Sequence, residues 1–408
     1  MNVPNDETAT GGLSRKRLGR MREILTAAVE RGEVPGLVTL VHRRGETHVQ
    51  ALGTAEFGGD TPMRRDTIFR IASMGKPITA VAAMILVEEC RLRLDDPVDD
   101  LLPELAGGRV LRSVDGPLDD TVPMARAITL RDLLTFRMGT GAVMAPPGGT
   151  PPIQRAVEEA GVGPGPDGPP FGPDEWIRRL GALPLVHQPG AAWMYHTSSD
   201  VLGVLIARAA GRPLPEFLRE RVFEPLGMRD TGYHLPADRL GRMAGSYAGD
   251  PRTGAPVRRP GPREGAWDRP PAFPSGGGGP SLLSTADDYL AFCLMLLNRG
   301  RYDGGRLLSR RAVELMTTDH LTPEQKAGNE VFFGSGGWGF GLAVNGRRDD
   351  LATGPGRFGW SGGLGTEAYT DPGEGLVGIV LTQRALTSPR PPAVFQDFWT
   401  SAYAAIDD

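Results

Sequence analysis

Hydrophobic positions recur along this chain with two different periods, and the switches between them mark out its elements. Residues 15–32 carry Leu18, Met21, Leu25 and Val29 three or four apart, the spacing of one face of an amphipathic helix. Two β-rich runs follow, 36–42 and 47–53, joined at Arg43-Arg44-Gly45-Glu46, a turn with its glycine in place. From Ser73 to about Cys90, Ile78, Val81, Ala82, Ile85 and Leu86 fill an i, i+3, i+4, i+7 pattern. The helix they predict is so strongly apolar that it must be buried.

Helical patterns continue at 129–136, 174–180, 199–210, 214–223, 285–297 and 309–317. Two Pro/Gly-rich stretches, 139–172 and 248–280, lack periodicity and read as loops bordering a cleft. Strand-like runs return at 338–344, 365–370 and 376–382, and an aromatic helix spans 392–406. Strands at both chain ends and helices between them predict an α/β (α+β) architecture: one antiparallel sheet flanked by the first and last helices, with a mainly helical lobe inserted. The expected divisions are a flexible N-terminus at 1–14, a sheet lobe at 15–65 plus 330–408, and a helical lobe at 66–329, with the active cleft between the lobes.

A length of 408 residues with 40% hydrophobic content can bury the core such a plan needs. The net charge of −4 argues against nucleic acid or an anionic membrane as partner. Residues 1–12 lack an apolar leader, and no run reaches a membrane-spanning length, so the cytoplasm is the expected compartment. Cys90 and Cys293 each fall in an apolar helical run, which predicts buried thiols. The six histidines form no HExxH or CxxC-type pattern, so neither metal nor cofactor is expected. Among 45 basic residues only Lys16, Lys76 and Lys326 are lysines. Arg cannot give up its proton, so a position that keeps Lys is a candidate base.

Ser73-Met74-Gly75-Lys76 puts a hydroxyl and an amine three residues apart at a helix start, on one face and within contact. The positive field of the helix N-terminus favours the developing alkoxide, and the apolar helix behind Lys76 favours a neutral amine. That is the physics of a Ser-Lys nucleophile, although an N-cap serine with a surface lysine has the same spacing.

The surrounding residues resemble the penicillin-binding-protein and class C β-lactamase superfamily, particularly its esterase branch. The likeness is carried by FRIASMGKPITAVAAMILVEECRLRLDDPV around Ser73, ITLRDLLTFRMG at 128–139, QPGAAWMYHTSSDVLGVLIARAAGRPLPEFLRERVFEPLGMRDTGY at 188–233 and GGGGPSLLSTADDYLAFCLMLLNRG at 276–300. It covers most of the chain from about residue 20. It implies a β-lactamase/transpeptidase-like fold, Ser73 as acylated nucleophile, Lys76 as its base partner, and Tyr195 as a phenol held between Lys76 and Ser73 to relay a proton. Thr197 stands where the family's Tyr-x-Asn motif has Asn, which puts amide recognition of substrate in doubt.

The third family motif, Lys-Thr-Gly or His-x-Gly on an edge strand, corresponds here to Trp360-Ser361-Gly362, followed by Gly363. The resemblance implies that this strand aligns substrate and that backbone N–H groups of Ser73 and Gly363 form an oxyanion hole. Trp360 replaces a cation, which favours neutral, apolar groups over carboxylates, and Trp-containing third motifs resemble those of family VIII carboxylesterases. The expected function is hydrolysis of a small acyl ester through an acyl-serine. A β-lactamase, a D-amino-acid peptidase, an acyltransferase and a non-catalytic binder are the rivals on the same scaffold. Gly359-Trp360-Ser361-Gly362-Gly363 also satisfies the α/β-hydrolase elbow pattern, but no histidine follows Ser361 to complete that triad.

Overall fold

The computed structural model describes residues 8–9, 11–143, 149–163, 168–250, 252–260, 265, 267–279, 282–388 and 390–408. The elements that position the site are, in chain order, α1 (Arg15–Glu30), β1 (Gly36–Arg43), β2 (Glu46–Gly53), α2 (Gly75–Glu88), α3 (Thr197–Ala210), α4 (Ala286–Leu297), β3 (Gly337–Trp338), β4 (Ala343–Val344), β5 (Phe358–Gly362), β6 (Thr366–Asp371), β7 (Leu376–Thr382) and α5 (Ala393–Ala404). The seven strands form one sheet in the order β3-β4-β5-β6-β7-β1-β2, each pair antiparallel.

The β1–β2 hairpin turns on Arg44 and Gly45, both at positive φ (49° and 91°), the mirror-image turn whose twist suits two paired strands. Ser14 caps α1 by accepting from the Arg17 N–H. Leu18, Met21 and Leu25 of α1 pack with Phe395, Phe398 and Trp399 of α5, and both helices cover one face of the sheet through Leu37, Val41 and Val380. The other face, with Val38, Leu40, Ile379 and Leu381, carries α2, α4 and the helical remainder. Alternation along β1 and β7 sends successive side chains to these two cores, which is why both strands are apolar throughout. The predicted α+β plan, an antiparallel sheet flanked by the first and last helices, is the observed one.

Three details depart from the sequence reading. The helix expected from Ser73 begins as a 3₁₀ turn, Ala72–Met74, before α2 takes over. A two-turn helix, Pro152–Glu159, lies inside the first Pro/Gly-rich stretch, and a hairpin of Tyr247–Gly249 with Pro256–Arg258 lies inside the second. The Pro/Gly-rich composition around that helix masks its period, and the hairpin strands are only three residues each. Cys90 is exposed rather than buried, because the chain has already left α2 and turns there at φ 58°; Cys293 is buried as expected. Phe358–Gly362 forms the strand that the resemblance implied, although its two glycines hide any alternation. Residues 1–7 and 10 of the N-terminus, and 144–148, 164–167, 251, 261–264, 266 and 280–281 in and beside the two loop stretches, lie outside the described residues.

No helix among the described residues is long and apolar enough to cross a membrane.

Candidate active site

Ser73 sits in the 3₁₀ turn directly ahead of α2, on a backbone pinned from several sides. Ala72, just before it, has φ 45°. Gly278 presses against that turn so closely that a Cβ there would lie 1.9 Å from the Ala72 carbonyl oxygen, and its own φ is +84°. Only glycine fits such an approach. From the sheet side, a Cβ on Gly362 would fall 2.2 Å from the Ile71 carbonyl oxygen. The third-motif strand therefore runs hard against the turn that carries Ser73.

Although β5 is interior in the strand order, β4 pairs only with its Phe358 and Gly359. Trp360, Ser361 and Gly362 keep β6 on one side and have no strand partner on the other. The half of β5 nearest Ser73 is thus a local edge, as the resemblance implied. Gly363 follows in the turn, with open space around its Cα and its carbonyl taking the Leu386 N–H at 2.9 Å.

Lys76, in the first turn of α2, is 1% exposed. Its Nζ is 2.9 Å from Ser73 Oγ, 3.2 Å from His196 Nδ1 and 3.2 Å from the Gly277 carbonyl oxygen. Burial lowers its pKa to about 7, against an opposing pull from Asp200. An uncharged amine is therefore abundant at neutral pH.

Tyr195 closes the other side of the site. Its phenol hydrogen-bonds with Ser73 and accepts the Trp360 indole N–H at 2.8 Å. Burial pushes its pKa up to about 12, with those two bonds pulling the other way. The group is a neutral phenol at working pH. Sequence reasoning expected the phenol between Lys76 and Ser73; instead Lys76 Nζ lies over the tyrosine ring, 4.8 Å from its centroid. The hydroxyl is turned towards Trp360 because the indole is its fixed donor. Behind Tyr195 and Trp360 stands an aromatic wall of Phe136, Trp193, Phe332 and Trp338.

Ser361 does not join this group. Strand alternation turns it to the opposite face of β5, where its hydroxyl donates to Glu367 across the ladder, and Glu367 also takes the Trp399 indole N–H of α5. The elbow reading fails on geometry as well as on order, and the Ser361 side chain is not placed to meet an acyl group beside Ser73. Thr197 opens α3 at 4% exposure, with its N–H bonded to the Tyr195 carbonyl at 3.3 Å.

Two residues that sequence reasoning passed over complete the constellation. His196 links Lys76 to Asp200, its Nε2 lying 3.0 Å from Asp200 Oδ2. Asp200 in turn receives the Gly277 N–H at 3.0 Å and the Ser275 hydroxyl. Burial would raise the Asp200 pKa, but His196, Ser275 and Gly277 outweigh it and hold the carboxyl below its ordinary range. Burial, with the Lys76 charge, lowers the His196 pKa despite Asp200. The available signal was the spacing: His196 and Asp200 are four apart across a helix start, where side chains meet. Among the described residues no cluster of His, Cys, Asp and Glu could hold a metal ion.

This arrangement can deprotonate a serine, hold a tetrahedral adduct against β5, and protonate a leaving group. Known proteins give the family and the fold. The family model described as Beta-lactamase matches residues 21–396. Protein Rv1367c of Mycobacterium tuberculosis is 41% identical over 374 residues, covering 89% of this chain and 88% of its own. Esterase EstB of Burkholderia gladioli is 32% identical over 384 residues, covering 90% of each. The solved structure of EstCE1, a hydrolase with promiscuous acyltransferase activity, superposes with a TM-score of 0.76 at 25% identity, covering 95% of this chain and 99% of that one.

Proposed function

The chain belongs to the beta-lactamase family of serine hydrolases and acyltransferases, and on that premise we propose that it cleaves carboxylic esters of neutral, apolar character through an acyl-Ser73 intermediate. The observation that carries this reading is the contact of Ser73 Oγ with an amine that is fully enclosed and half-deprotonated near pH 7.

Neutral Lys76 takes the Ser73 proton as Oγ bonds to the acyl carbon, and the carbonyl electron pair moves onto oxygen. The N–H groups of Ser73 and Gly363 receive that oxyanion, a type of contact whose loss costs about 3 kcal/mol. Collapse breaks the bond to the alcohol oxygen, which takes the Tyr195 phenol proton; the phenol regains a proton from Lys76 once Nζ swings from above the ring, where it lies 4.8 Å from the centroid, to the phenol oxygen. Water, deprotonated by the same groups, then attacks the acyl-serine and frees the acid. An alcohol in place of water gives acyl transfer, a second reading favoured by the similarity to EstCE1 with its promiscuous acyltransferase activity. Trp360 favours neutral groups because it offers an apolar face, and its single donor is already committed to Tyr195.

The test is a pre-steady-state burst with p-nitrophenyl acetate in wild type and its absence in Ser73→Ala, with the acyl adduct located by peptide mass spectrometry. Nitrocefin turnover exceeding that of the ester would reassign the enzyme as a β-lactamase, and an adduct on Ser361 would overturn the nucleophile. Lys76→Arg should lose on the order of a thousand-fold or more, since the guanidinium cannot serve as base.

A further inference from the structure

The enclosed amine of Lys76 meets three polar atoms: Ser73 Oγ, His196 Nδ1 and the Gly277 carbonyl oxygen. A carbonyl oxygen only accepts. The role of His196 Nδ1 is set one bond further away, because the Asp200 carboxylate faces Nε2 and only accepts too. Nε2 must therefore carry the imidazole proton, and Nδ1 presents a lone pair to Lys76. A neutral amine has two hydrogens and one lone pair. The Gly277 oxygen and His196 Nδ1 claim the two hydrogens, and the lone pair is left for the Ser73 hydroxyl.

We propose that His196, locked in one tautomer by Asp200, is a positioning residue that aims the lone pair of Lys76 at the Ser73 proton. The inference rests on the serine-hydrolase reading. When the Ser73 O–H bond breaks and an N–H bond forms on Lys76, the resulting ammonium finds its three hydrogens already facing three acceptors. No side chain has to rotate, and a single imidazole separates the new charge from the Asp200 carboxylate.

The backbone bears this out independently. His196 has φ 82° and ψ −68°, a γ-turn closed by the Thr197 N–H on the Tyr195 carbonyl. For a residue with a Cβ this conformation is strained and persists only where its surroundings over-determine it. Here the turn brings the Tyr195 phenol and the His196 ring to Ser73 and Lys76 from consecutive residues. The charged and titratable groups facing His196 are Lys76 from α2, Asp200 from α3 and the Tyr195 phenol; the 275–277 segment adds only a hydroxyl and peptide groups.

Three variants of the full chain test the idea: His196→Ala, His196→Asn and Asp200→Asn, with folding checked by thermal melting. The Asn side chain places an acceptor where Nδ1 stands and tolerates positive φ. His196→Ala should still form the Ser73 adduct but acylate 10- to 100-fold more slowly, on the scale of misaligned proton transfer, with KM little changed and the rise of kcat/KM displaced from its wild-type pH. His196→Asn should recover most of that loss. In Asp200→Asn the Gly277 N–H holds the amide oxygen, so its NH2 faces Nε2 and drives the imidazole proton onto Nδ1, opposite Lys76; a loss at least as large as for His196→Ala is expected. Wild-type rate and pH profile in His196→Ala, or an Asn variant no faster than the Ala one, overturns the proposal. Failure of the hydrolase reading itself looks different: no adduct on Ser73 in any variant.

Discussion

The Trp360 indole N–H is hydrogen-bonded to the Tyr195 phenol oxygen at 2.8 Å, which occupies one lone pair of the phenol and leaves its proton free to point towards Ser73. The residue standing in the third motif thus orients the proposed acid. Trp360→Phe keeps an aromatic ring and removes the donor. A neutral hydrogen bond contributes about 0.5–1.5 kcal/mol, so kcat with a p-nitrophenyl ester should fall about 2- to 10-fold. Unchanged kcat would show the bond to be idle.

The pH dependence follows from Lys76. Its pKa is lowered, so the base-competent neutral form is gained as pH rises through about 7, and kcat/KM should climb across that range before levelling. Tyr195 stays protonated until about pH 12, so no alkaline fall from the phenol is expected in the usual assay range. A flat profile from about pH 5.5 to 9 would remove Lys76 from the role of base.

Ser361 and Glu367 form a structural pair on the far face of β5. Burial raises the Glu367 pKa, partly offset by its bond to Ser361, so removing that hydroxyl strips a partner from an enclosed carboxyl group. Ser361→Ala should cost about 1–3 kcal/mol of stability, read by urea denaturation, while kcat/KM stays within about 3-fold of wild type. An activity loss matching Ser73→Ala would instead place Ser361 in the chemistry.

Gly277 is held by proximity rather than by backbone conformation. A Cβ there would stand 3.1 Å from Lys76 Nζ and 3.3 Å from both Asp200 Oδ1 and His196 Cε1. Gly277→Ala should leave a folded protein that is about 10-fold or more slower, because the amine is displaced from Ser73 by a few tenths of an ångström. Full activity in that variant would mean that the amine tolerates displacement.

Much of this molecule is written locally. The 3.6-residue and two-residue periods determined α1, α2, the β1–β2 hairpin and β7, because each buries a face whose spacing is a property of its own residues. The Ser73–Lys76 contact was equally legible, since three residues of helix bring two side chains together wherever that helix lies. Tyr195, Trp360 and Gly363 could be nominated only through a family resemblance, as nothing in their own spacing carries the chemistry.

Tertiary structure decided the rest. Which face of β5 each residue meets depends on what packs there: α5 takes Ser361 through Glu367 and Trp399, while the Ser73 turn takes Gly362. Likewise His196 is one scattered histidine along the chain. It gains a role only because a γ-turn, a helix start and the glycine segment at 276–279 converge on one buried amine. Hydrogen-bond direction and desolvation belong to that convergence, and no linear pattern of residues records them.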